Sequence, residues 1–365
     1  MVYRVIGLMS GSSLDGLDIA FVEFQETAGE WRYEIIQAAC YPYDDIWKKQ
    51  LEEAPLLSAK EYQLLHTDYG HYLGQRVNQF IEEHQIQYQA ALISSHGHTT
   101  FHMPERKMTG QIGEGAAIAA ETALPVVTDL RSLDIALGGQ GAPIVPIGEK
   151  LLLKEYDYFL NIGGIANISH NREKYTAFDV CPANRVMNLL AKDAGKEYDE
   201  KGQMAASGKI NKELLEKLNT LDYYRQPFPK SLANDFGTGI VYPLIKSAGL
   251  SIPDSLATYA EHITIQTGNA LAAIKEPQLC TENLKMLVTG GGAYNEWLIG
   301  SLRKTLGLRQ VDIVVPDSLL IDYKEAMVMA FIGVLRWRQE YNVLSSVTGS
   351  SRDNIGGALW TGQEA

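Results

Sequence analysis

The sequence predicts an α/β protein built from two similar domains. A unit of two strands, joined by a glycine-containing turn and followed by a third strand, occurs twice along the chain. Strand and helix patterns alternate after each copy, which is typical of α/β folds. At 365 residues the chain is long enough for two domains that each bury a core.

The first copy lies near the N-terminus. Residues 5–24 have a β-branched and aromatic run on each side of a Ser/Gly/Asp cluster, and this predicts two antiparallel strands with a tight turn. Residues 33–39 predict the third strand. The second copy occupies residues 158–169, with Gly163 and Gly164 in its turn, and its third strand is predicted at 175–180. Two such turns facing one another could hold a triphosphate between them.

The first turn has the composition of an anion cradle. Gly11 and Gly16 permit positive φ and leave their amides uncovered, while Ser10, Ser12 and Ser13 add hydroxyl donors. We interpret it as a phosphate-binding turn, and an ordinary polar hairpin turn is the alternative.

The remaining patterns predict helices and buried strands in alternation. Helices are predicted at 44–53, 59–85, 111–121, 184–193, 202–207, 212–218, 255–274, 296–306 and 323–338, and strands at 90–95, 125–130, 285–289 and 311–315. The strand at 285–289 ends in Gly290, Gly291 and Gly292, which lack Rossmann spacing and would let a nucleotide's base or ribose lie against the backbone. Residues 355–360 predict a tail that returns to the first domain.

The domain boundary is predicted from glycine and proline. Residues 131–146 are rich in both, which suggests an interdomain crossing with hinge motion. We therefore predict a first domain at 1–130 plus 345–365, and a second at 131–344.

Three histidines fall within seven residues, His96, His98 and His102. Their spacing fits neither a helical metal pair nor a finger, so we interpret the segment as a loop at the carboxyl end of a strand, where α/β proteins commonly place ligand contacts.

Composition excludes several function classes. The net charge of −12 argues against nucleic-acid and anionic-membrane partners, which need a basic face. Cys40, Cys181 and Cys280 fit neither a disulfide framework nor a zinc site, which predicts a reducing cytoplasm. The sequence shows neither a secretory leader nor an apolar run of membrane-spanning length.

Phosphoryl transfer needs a phosphate cradle, a divalent cation and a base, and this chain has neither a P-loop nor protein-kinase motifs. The duplicated hairpin resembles the actin, Hsp70 and sugar-kinase superfamily, whose two ribonuclease-H-like (actin-like ATPase) domains have a nucleotide cleft between them. More narrowly, the chain resembles the anhydro-N-acetylmuramic acid kinase family. The motifs that carry the resemblance span most of the chain at residues 7–18, 95–97, 111–113, 138–143, 161–167 and 178–179.

The resemblance implies an ATP-dependent kinase that hydrolytically opens 1,6-anhydro-N-acetylmuramic acid and phosphorylates O6. The products would be N-acetylmuramic acid 6-phosphate and ADP, in cytoplasmic recycling of cell-wall peptidoglycan. A homodimer and a requirement for Mg²⁺ are also implied.

The same resemblance implies roles for individual residues. Asp179 would be the catalytic base, and Asp15 or Asp18 would help to place Mg²⁺. Sugar contacts would come from Thr99, Glu114, Arg131 and Glu325, with the nucleotide base as the alternative contact of Arg131. ATP contacts would come from Gly11, Ser12, Ser13, Leu14, Asp15, Gly16, Leu17, Asp18, Gly163, Gly164, Gly290, Gly291 and Gly292.

Several of these residues also have a structural interpretation. Asp179 would cap the helix that follows its strand, and Asp15 or Asp18 would bond its own turn. Arg131 would pair with Asp129 or Asp134 at the surface. A carboxylate at the predicted start of a helix, such as Glu325, is favourable without any ligand.

The chain differs from the family pattern in two stretches. Residues 178–184 keep the Asp, Pro and Asn of that pattern but lack two glycines, and residues 228–235 replace its polar end. Two alternatives therefore stand beside the leading hypothesis: a kinase of another sugar or amino sugar, and a non-catalytic ATP-gated binding protein.

Overall fold

The computed structural model describes residues 1–11, 13–171, 175–228, 230–232, 235–274 and 284–362. Predictions for Ser12 and Cys280, and for parts of the 228–235 stretch, lie outside these residues. The chain divides into two compact units: unit 1 is Met1–Leu153 with Tyr323–Ala365, and unit 2 is Lys154–Asp322.

Strands and helices are numbered along the chain. The strands are β1 (Val2–Ser10), β2 (Gly16–Thr27), β3 (Glu30–Pro42), β4 (Leu92–Met103), β5 (Met108–Ile112), β6 (Val126–Thr128), β7 (Tyr158–Ile162), β8 (Ile165–His170), β9 (Thr176–Pro182), β10 (Leu284–Thr289), β11 (Val311–Val314) and β12 (Ala358–Trp360). The helices are α1 (Asp45–Glu53), α2 (Ala59–Glu83), α3 (Gly115–Thr122), α4 (Ser132–Ala136), α5 (Pro146–Leu152), α6 (Asn184–Lys192), α7 (Gln203–Ser207), α8 (Lys212–Asn219), α9 (Asp222–Arg225), α10 (Tyr242–Ser247), α11 (Ile252–Ile274), α12 (Glu296–Gly307), α13 (Ser318–Trp337) and α14 (Ser345–Thr348).

The sheets of the two units share a five-strand topology, to which unit 1 adds β5 and β12. In unit 1 the order is β12-β6-β4-β1-β2-β3, with β5 paired to β4, and in unit 2 it is β11-β10-β7-β8-β9. In each unit the first three strands are antiparallel, and the next two in the sheet run parallel to the first. This is the ribonuclease-H-like arrangement, so the predicted α/β fold class is confirmed for both units.

Unit 1 builds its core between the sheet and helices α2 and α3. Ser58 and Glu61 form a capping box that starts α2. Gly70 of α2 lies against the segment that enters α3, since a Cβ there would be 2.6 Å from the Glu114 carbonyl oxygen. This close approach fixes Glu114 beside α2.

Helix α13 packs directly on β1. A Cβ at Gly7 would lie 2.0 Å from the carbonyl oxygen of Ala326 and 2.8 Å from the amide nitrogen of Ala330. Glycine is therefore required at this position by the approach of two backbones. The contact fixes the part of α13 that carries Glu325 against the first strand.

The unit boundaries differ from the predicted domain boundaries at 130/131 and 344/345. Residues 131–153 and 323–344 belong to unit 1, and the chain passes between units at 153/154 and 322/323. Asp134 helps to hold the glycine-rich segment in unit 1, because it is fully buried and accepts hydrogen bonds from the Gly141 amide, Thr348 Oγ1 and Asn354 Nδ2 at 2.8, 2.8 and 2.9 Å. These bonds tie the glycine-rich segment to the C-terminal residues of unit 1.

Three local predictions were wrong. Glu325 does not lie at the start of a helix, because α13 begins at Ser318. The segment predicted as a helix at 111–121 begins with the end of strand β5, and α3 starts only at Gly115. The histidine-rich segment is part of β4 rather than a loop, because β5 pairs with it through Met103. The tail prediction is confirmed, since β12 pairs with β6 of unit 1. Within the described residues, no helix is both long and apolar enough to cross a membrane.

Candidate active site

Two of the expected sugar contacts, Thr99 and Arg131, lie on or directly after strands that end at one edge of the sheet of unit 1. Strands β1, β4 and β6 are parallel neighbours, so their carboxyl ends lie at the same edge. Ser10 ends β1, Thr99 extends β4 beyond its pairing with β1, and Arg131 follows β6.

The turn between β1 and β2 is held by its own side chains. Asp15 Oδ1 accepts from Ser13 Oγ at 2.6 Å and from the Gly16 amide at 3.1 Å. Leu14 adopts a left-handed φ of 55°. Asp15 thus makes the backbone bond of the structural interpretation, while its side chain stays exposed. Asp18 lies in β2 opposite Met9 and is half-buried.

Arg131 is fixed by two neutral acceptors. Its Nε donates to His96 Nε2 at 2.8 Å, and its Nη1 donates to the Gly141 carbonyl oxygen at 2.6 Å. It makes neither of the predicted ion pairs with Asp129 or Asp134, so that interpretation was wrong. The guanidinium is therefore oriented without losing its charge to an acidic partner.

The hydrogen bond and the charge of Arg131 bear on the tautomer and the protonation of His96. Because Arg131 donates to Nε2 of His96, the ring hydrogen of His96 is on Nδ1, which donates to the Gly97 carbonyl oxygen at 2.9 Å. Burial, with the Arg131 charge, lowers the pKa of His96 to about 3, so this ring is neutral. Burial also lowers the pKa of Arg131 to about 10, and the negative charge of nearby Glu325 opposes this shift. The structure thus brings Arg131 and Glu325 into one electrostatic environment.

The other two expected sugar contacts are anchored on neighbouring elements. Thr99 is exposed, and its Oγ1 accepts from Gln111 Nε2 at 3.3 Å. Glu114 immediately precedes α3, and its Oε2 accepts from Thr67 Oγ1 of α2 at 2.8 Å. Both side chains therefore belong to unit 1 but are held by different strands and helices.

A buried hydroxyl network beneath the first turn was missed at the level of sequence. Ser10 Oγ lies 3.0 Å from His98 Nδ1, and Tyr43 OH donates to Ser10 Oγ at 2.8 Å. Tyr43 OH and Tyr69 OH are 2.6 Å apart. The sequence signalled only that Tyr69 lies on the apolar face of a helix. Burial lowers the pKa of His98 to about 4 and keeps its ring neutral.

In unit 2, Asp179 lies in β9 and is held by an adjoining segment. Its Oδ2 accepts from the Leu232 amide at 2.8 Å and from Ser231 Oγ at 3.1 Å. It does not cap α6, whose N-cap residue is Ala183, so the capping interpretation was wrong. Burial raises the pKa of Asp179, and the bonds from Leu232 and Ser231 oppose this shift.

The carbonyl oxygens of the second hairpin turn accept hydrogen bonds from the backbone at the start of helix α6. The Gly163 carbonyl oxygen accepts from the Asn184 amide at 3.0 Å, and that of Gly164 accepts from the Ala183 amide at 2.8 Å. A Cβ at Gly163 would have its nearest neighbour at 3.6 Å, and one at Gly164 at 3.7 Å. Packing within the chain therefore does not require glycine at either position.

The three late glycines have different surroundings. Gly290 has a φ of 79°, and a Cβ there would be 2.6 Å from Asn161 Oδ1, while a Cβ at Gly292 would be 2.2 Å from Ile162 Cγ2. A Cβ at Gly291 would meet only Asn184 Nδ2, at 3.4 Å. Gly291 and Gly292 line a cavity of about 690 Å³ in unit 2. The cavity is also lined by Asn184, Met187, Asn188, Tyr198, Asp199, Glu200, Lys201, Ala293, Tyr294, Asn295 and Glu296.

Comparison with known proteins identifies the family. A sequence profile described as "Anhydro-N-acetylmuramic acid kinase" matches residues 3–362. The chain is 33% identical to the anhydro-N-acetylmuramic acid kinase of Photobacterium profundum, over 98% of this chain and 99% of that protein. It is 32% identical to the protein of the same name from Hydrogenovibrio crunogenus, over 97% of each. The protein of that name from Gloeobacter violaceus is 33% identical, over 95% of this chain and 96% of its own length. The chain therefore belongs to the anhydro-N-acetylmuramic acid kinase family.

Proposed function

We propose that this sugar kinase opens 1,6-anhydro-N-acetylmuramic acid with water and transfers the γ-phosphoryl group of ATP to O6. The products are N-acetylmuramic acid 6-phosphate and ADP. The observation that carries the proposal is the environment of Asp179, a half-buried carboxylate whose pKa burial raises and whose Oδ2 is oriented by two donors. An oriented carboxylate with a raised pKa suits a general base.

In this mechanism Asp179 takes a proton from the attacking water. The water oxygen bonds to the anomeric carbon as the bond from that carbon to O6 breaks. O6 then bonds to the γ-phosphorus as the bond to the β-phosphate oxygen breaks, and ADP leaves. The proton on Asp179 passes to solvent. One carboxylate suffices because the leaving oxygen of the first step is the nucleophile of the second.

We assign the remaining sites unit by unit. In unit 1, the turn from Gly11 to Asp18 binds phosphate, and Thr99, Glu114, Arg131 and Glu325 contact the sugar. In unit 2, Gly163 and Gly164 approach phosphate, while the cavity beside Gly291 holds the adenosine. Support for the cavity comes from its volume, about 690 Å³, and from Gly291, which the fold does not require to be glycine.

The residues of the first turn could hold Mg²⁺ only together with phosphate oxygens, which would supply further ligands. In the described part of the chain, no group of three or more His, Cys, Asp and Glu side chains could hold a metal. Mg²⁺ in kinases is commonly held by one or two carboxylates together with phosphate oxygens and water. Asp15 and Asp18 supply two carboxylates, so they would hold the ion, which neutralises charge on the transferring phosphates when bound.

The test is ADP release from ATP and Mg²⁺ with 1,6-anhydro-N-acetylmuramic acid, alongside N-acetylmuramic acid and N-acetylglucosamine. Turnover with the anhydro-sugar alone supports the proposal. Turnover with another sugar instead would establish a different sugar kinase, and ATP binding without turnover on any sugar would favour a binding protein.

Asp179→Asn is the decisive variant, and Asp193→Asn is its matched control. Asp193 is also a hydrogen-bonded aspartate of unit 2, but its partners are Tyr242 and Lys246 at the surface. We expect Asp179→Asn to abolish turnover while ATP still binds, and Asp193→Asn to keep activity. An unchanged turnover rate in Asp179→Asn would exclude the base role.

Gly291→Ala tests the nucleotide cavity. The fold has room for a Cβ at this position, so the variant should remain folded while ATP affinity falls. Isothermal titration with ATP measures the affinity, and an unchanged dissociation constant would place the adenosine elsewhere.

We further infer that the enzyme acts in the cytoplasm in peptidoglycan recycling. We also infer that it forms a homodimer, which sedimentation velocity would test.

A further inference from the structure

The hydroxyl network beneath the first turn has a definite direction. Tyr43 OH donates its single hydrogen to Ser10 Oγ at 2.8 Å. The 2.6 Å contact between Tyr43 and Tyr69 is then made by the hydrogen of Tyr69. Ser10 Oγ, which also lies 3.0 Å from His98 Nδ1, therefore already accepts one hydrogen bond.

The hydrogen of Ser10 determines the tautomer of His98. Ser10 is 3% exposed, and among the described residues His98 Nδ1 is the acceptor available to its hydroxyl. A buried hydroxyl that donates to nothing is costly, so Ser10 donates to Nδ1. The hydrogen of the neutral His98 ring is consequently on Nε2. This tautomer is the opposite of that in His96.

The Nε2–H of His98 is a surplus donor. No atom among the described residues accepts a hydrogen bond from it, and Nε2 is open to solvent although His98 as a whole is only 6% exposed. The ring lies at the carboxyl edge of the sheet, because His98 pairs with Ser10, the last residue of β1. The proposed phosphate turn follows Ser10, and the proposed sugar contact Thr99 follows His98.

We propose that His98 is a ligand-binding residue whose Nε2–H donates to an acceptor oxygen of the bound sugar or of the terminal phosphate. Ser10 and Tyr43 are positioning residues that hold the ring in this tautomer. The inference rests on the proposed function, because it takes its ligands from that reaction.

The first test does not depend on activity. Long-range ¹H–¹⁵N spectra of the ¹⁵N-histidine-labelled protein report the tautomer of each ring, and His98→Gln assigns the signal. We expect the Nε2–H pattern for His98 in the free protein. We also expect its Nε2 resonance to shift with 1,6-anhydro-N-acetylmuramic acid or with a non-hydrolysable ATP analogue, and the ligand that shifts it identifies the source of the oxygen. An Nδ1–H pattern, or a resonance that neither ligand moves, would overturn the proposal.

The second test uses two amides that mimic different ring nitrogens. The amide of Gln can place an N–H near the position of Nε2, whereas that of Asn reaches only the position of Nδ1. We expect His98→Asn to lower kcat/KM about tenfold, as the loss of one hydrogen bond to a ligand would, and His98→Gln to restore most of it. A rise in KM for the sugar alone or for ATP alone distinguishes the two sources.

The control is His71→Asn, a half-exposed histidine of unit 1 that contacts Glu121. Thermal melting shows whether the two His98 variants are equally stable. Equal kcat/KM in His98→Asn and His98→Gln, with equal melting temperatures, would overturn the role of the donor. If the wild-type enzyme does not phosphorylate the anhydro-sugar, the proposed function fails on its own, and the spectra with the ATP analogue still test His98.

Discussion

Arg131 donates through Nε to Nε2 of His96 at 2.8 Å, although Asp129 and Asp134 are its close neighbours in sequence. The neutral imidazole of His96 orients the guanidinium and does not cancel its positive charge. A hydrogen-bonded carboxylate would have oriented the guanidinium and also cancelled its charge. The guanidinium is therefore held by neutral acceptors, with the negative charge of Glu325 nearby, and we propose that it contacts an oxygen of the sugar.

Arg131→Lys should therefore lower kcat/KM for the sugar by about tenfold or more. A lysine has one ammonium group and cannot reproduce the planar fork that bonds His96 and Gly141 together. Steady-state kinetics measure the loss. The control is Arg336→Lys, because Arg336 makes a similar Nε bond to the Gly357 carbonyl oxygen. A comparable loss in both variants would mean that the effect is general to arginine replacement.

The pH dependence of turnover should report Asp179. A general base works only when deprotonated, so activity should fall as the pH decreases through the raised pKa of Asp179. Ser231→Ala removes a hydrogen bond that lowers this pKa. We expect the acidic limb of the rate profile to move to higher pH in the variant. A limb that stays in place would mean that another group controls it.

Asp179→Asn should keep or increase the free energy of unfolding at neutral pH. A carboxyl whose pKa is raised by folding contributes stability that grows as the pH falls and is lost as the pH rises through the folded pKa. At pH 7 the charged form is therefore unfavourable to the fold, and an uncharged amide relieves this cost. Denaturant unfolding at pH 7 measures the difference, and a markedly less stable variant would contradict it.

Two glycine variants of unit 2 should affect different properties, ATP affinity in one variant and stability in the other. Gly163→Ala meets ordinary contacts, so we expect a normal melting temperature with weaker ATP binding if phosphate approaches the turn. Gly290→Ala combines a φ of 79° with a Cβ 2.6 Å from Asn161 Oδ1, and should lose about 1–3 kcal/mol of stability. Thermal melting and ATP titration of both proteins separate the two effects. Unchanged ATP affinity in Gly163→Ala would remove that turn from the phosphate site.

Asp134→Asn should destabilise unit 1 by about 1–3 kcal/mol. The carboxylate accepts three hydrogen bonds, and an amide nitrogen in place of one oxygen would face a donor. Differential scanning calorimetry measures the change. Asp129→Asn is the control, because Asp129 accepts a bond from the adjacent Thr128. Equal melting temperatures for the two variants would show that the buried bonds to Thr348 and Asn354 contribute little.

Much of the fold could be predicted because its signals are local. The β-branched and aromatic runs within residues 5–24 predicted β1 and β2, and the apolar spacing from 59 to 85 predicted α2. The placement of the glycine-rich segment in unit 1 could not be predicted, because it depends on Asp134 meeting Thr348, a residue more than two hundred positions away. Glycine and proline content indicated an irregular segment there but did not indicate which unit holds it.

The candidate site shows the same division. Gly163 and Gly291 stood out in the sequence because glycine clusters are visible without a structure, and Asp179 stood out through its motif. The donors that orient Asp179 come from residues 231 and 232, and no local pattern connects these to β9. Likewise, Tyr43 and Ser10 meet only because the chain folds them under one turn.

The motif that begins at Gly7 combines a requirement of the fold with a requirement of ligand binding. Gly7 stands at the head of the stretch that resembles a nucleotide-binding signature, yet its lack of a side chain serves the backbone of α13. A related protein that had lost its activity would still need glycine at this position, because α13 packs against the backbone of β1 here. Retention of Gly7 in a diverged sequence therefore reports conserved architecture, and surviving activity has to be judged from residues such as Asp179, the proposed base.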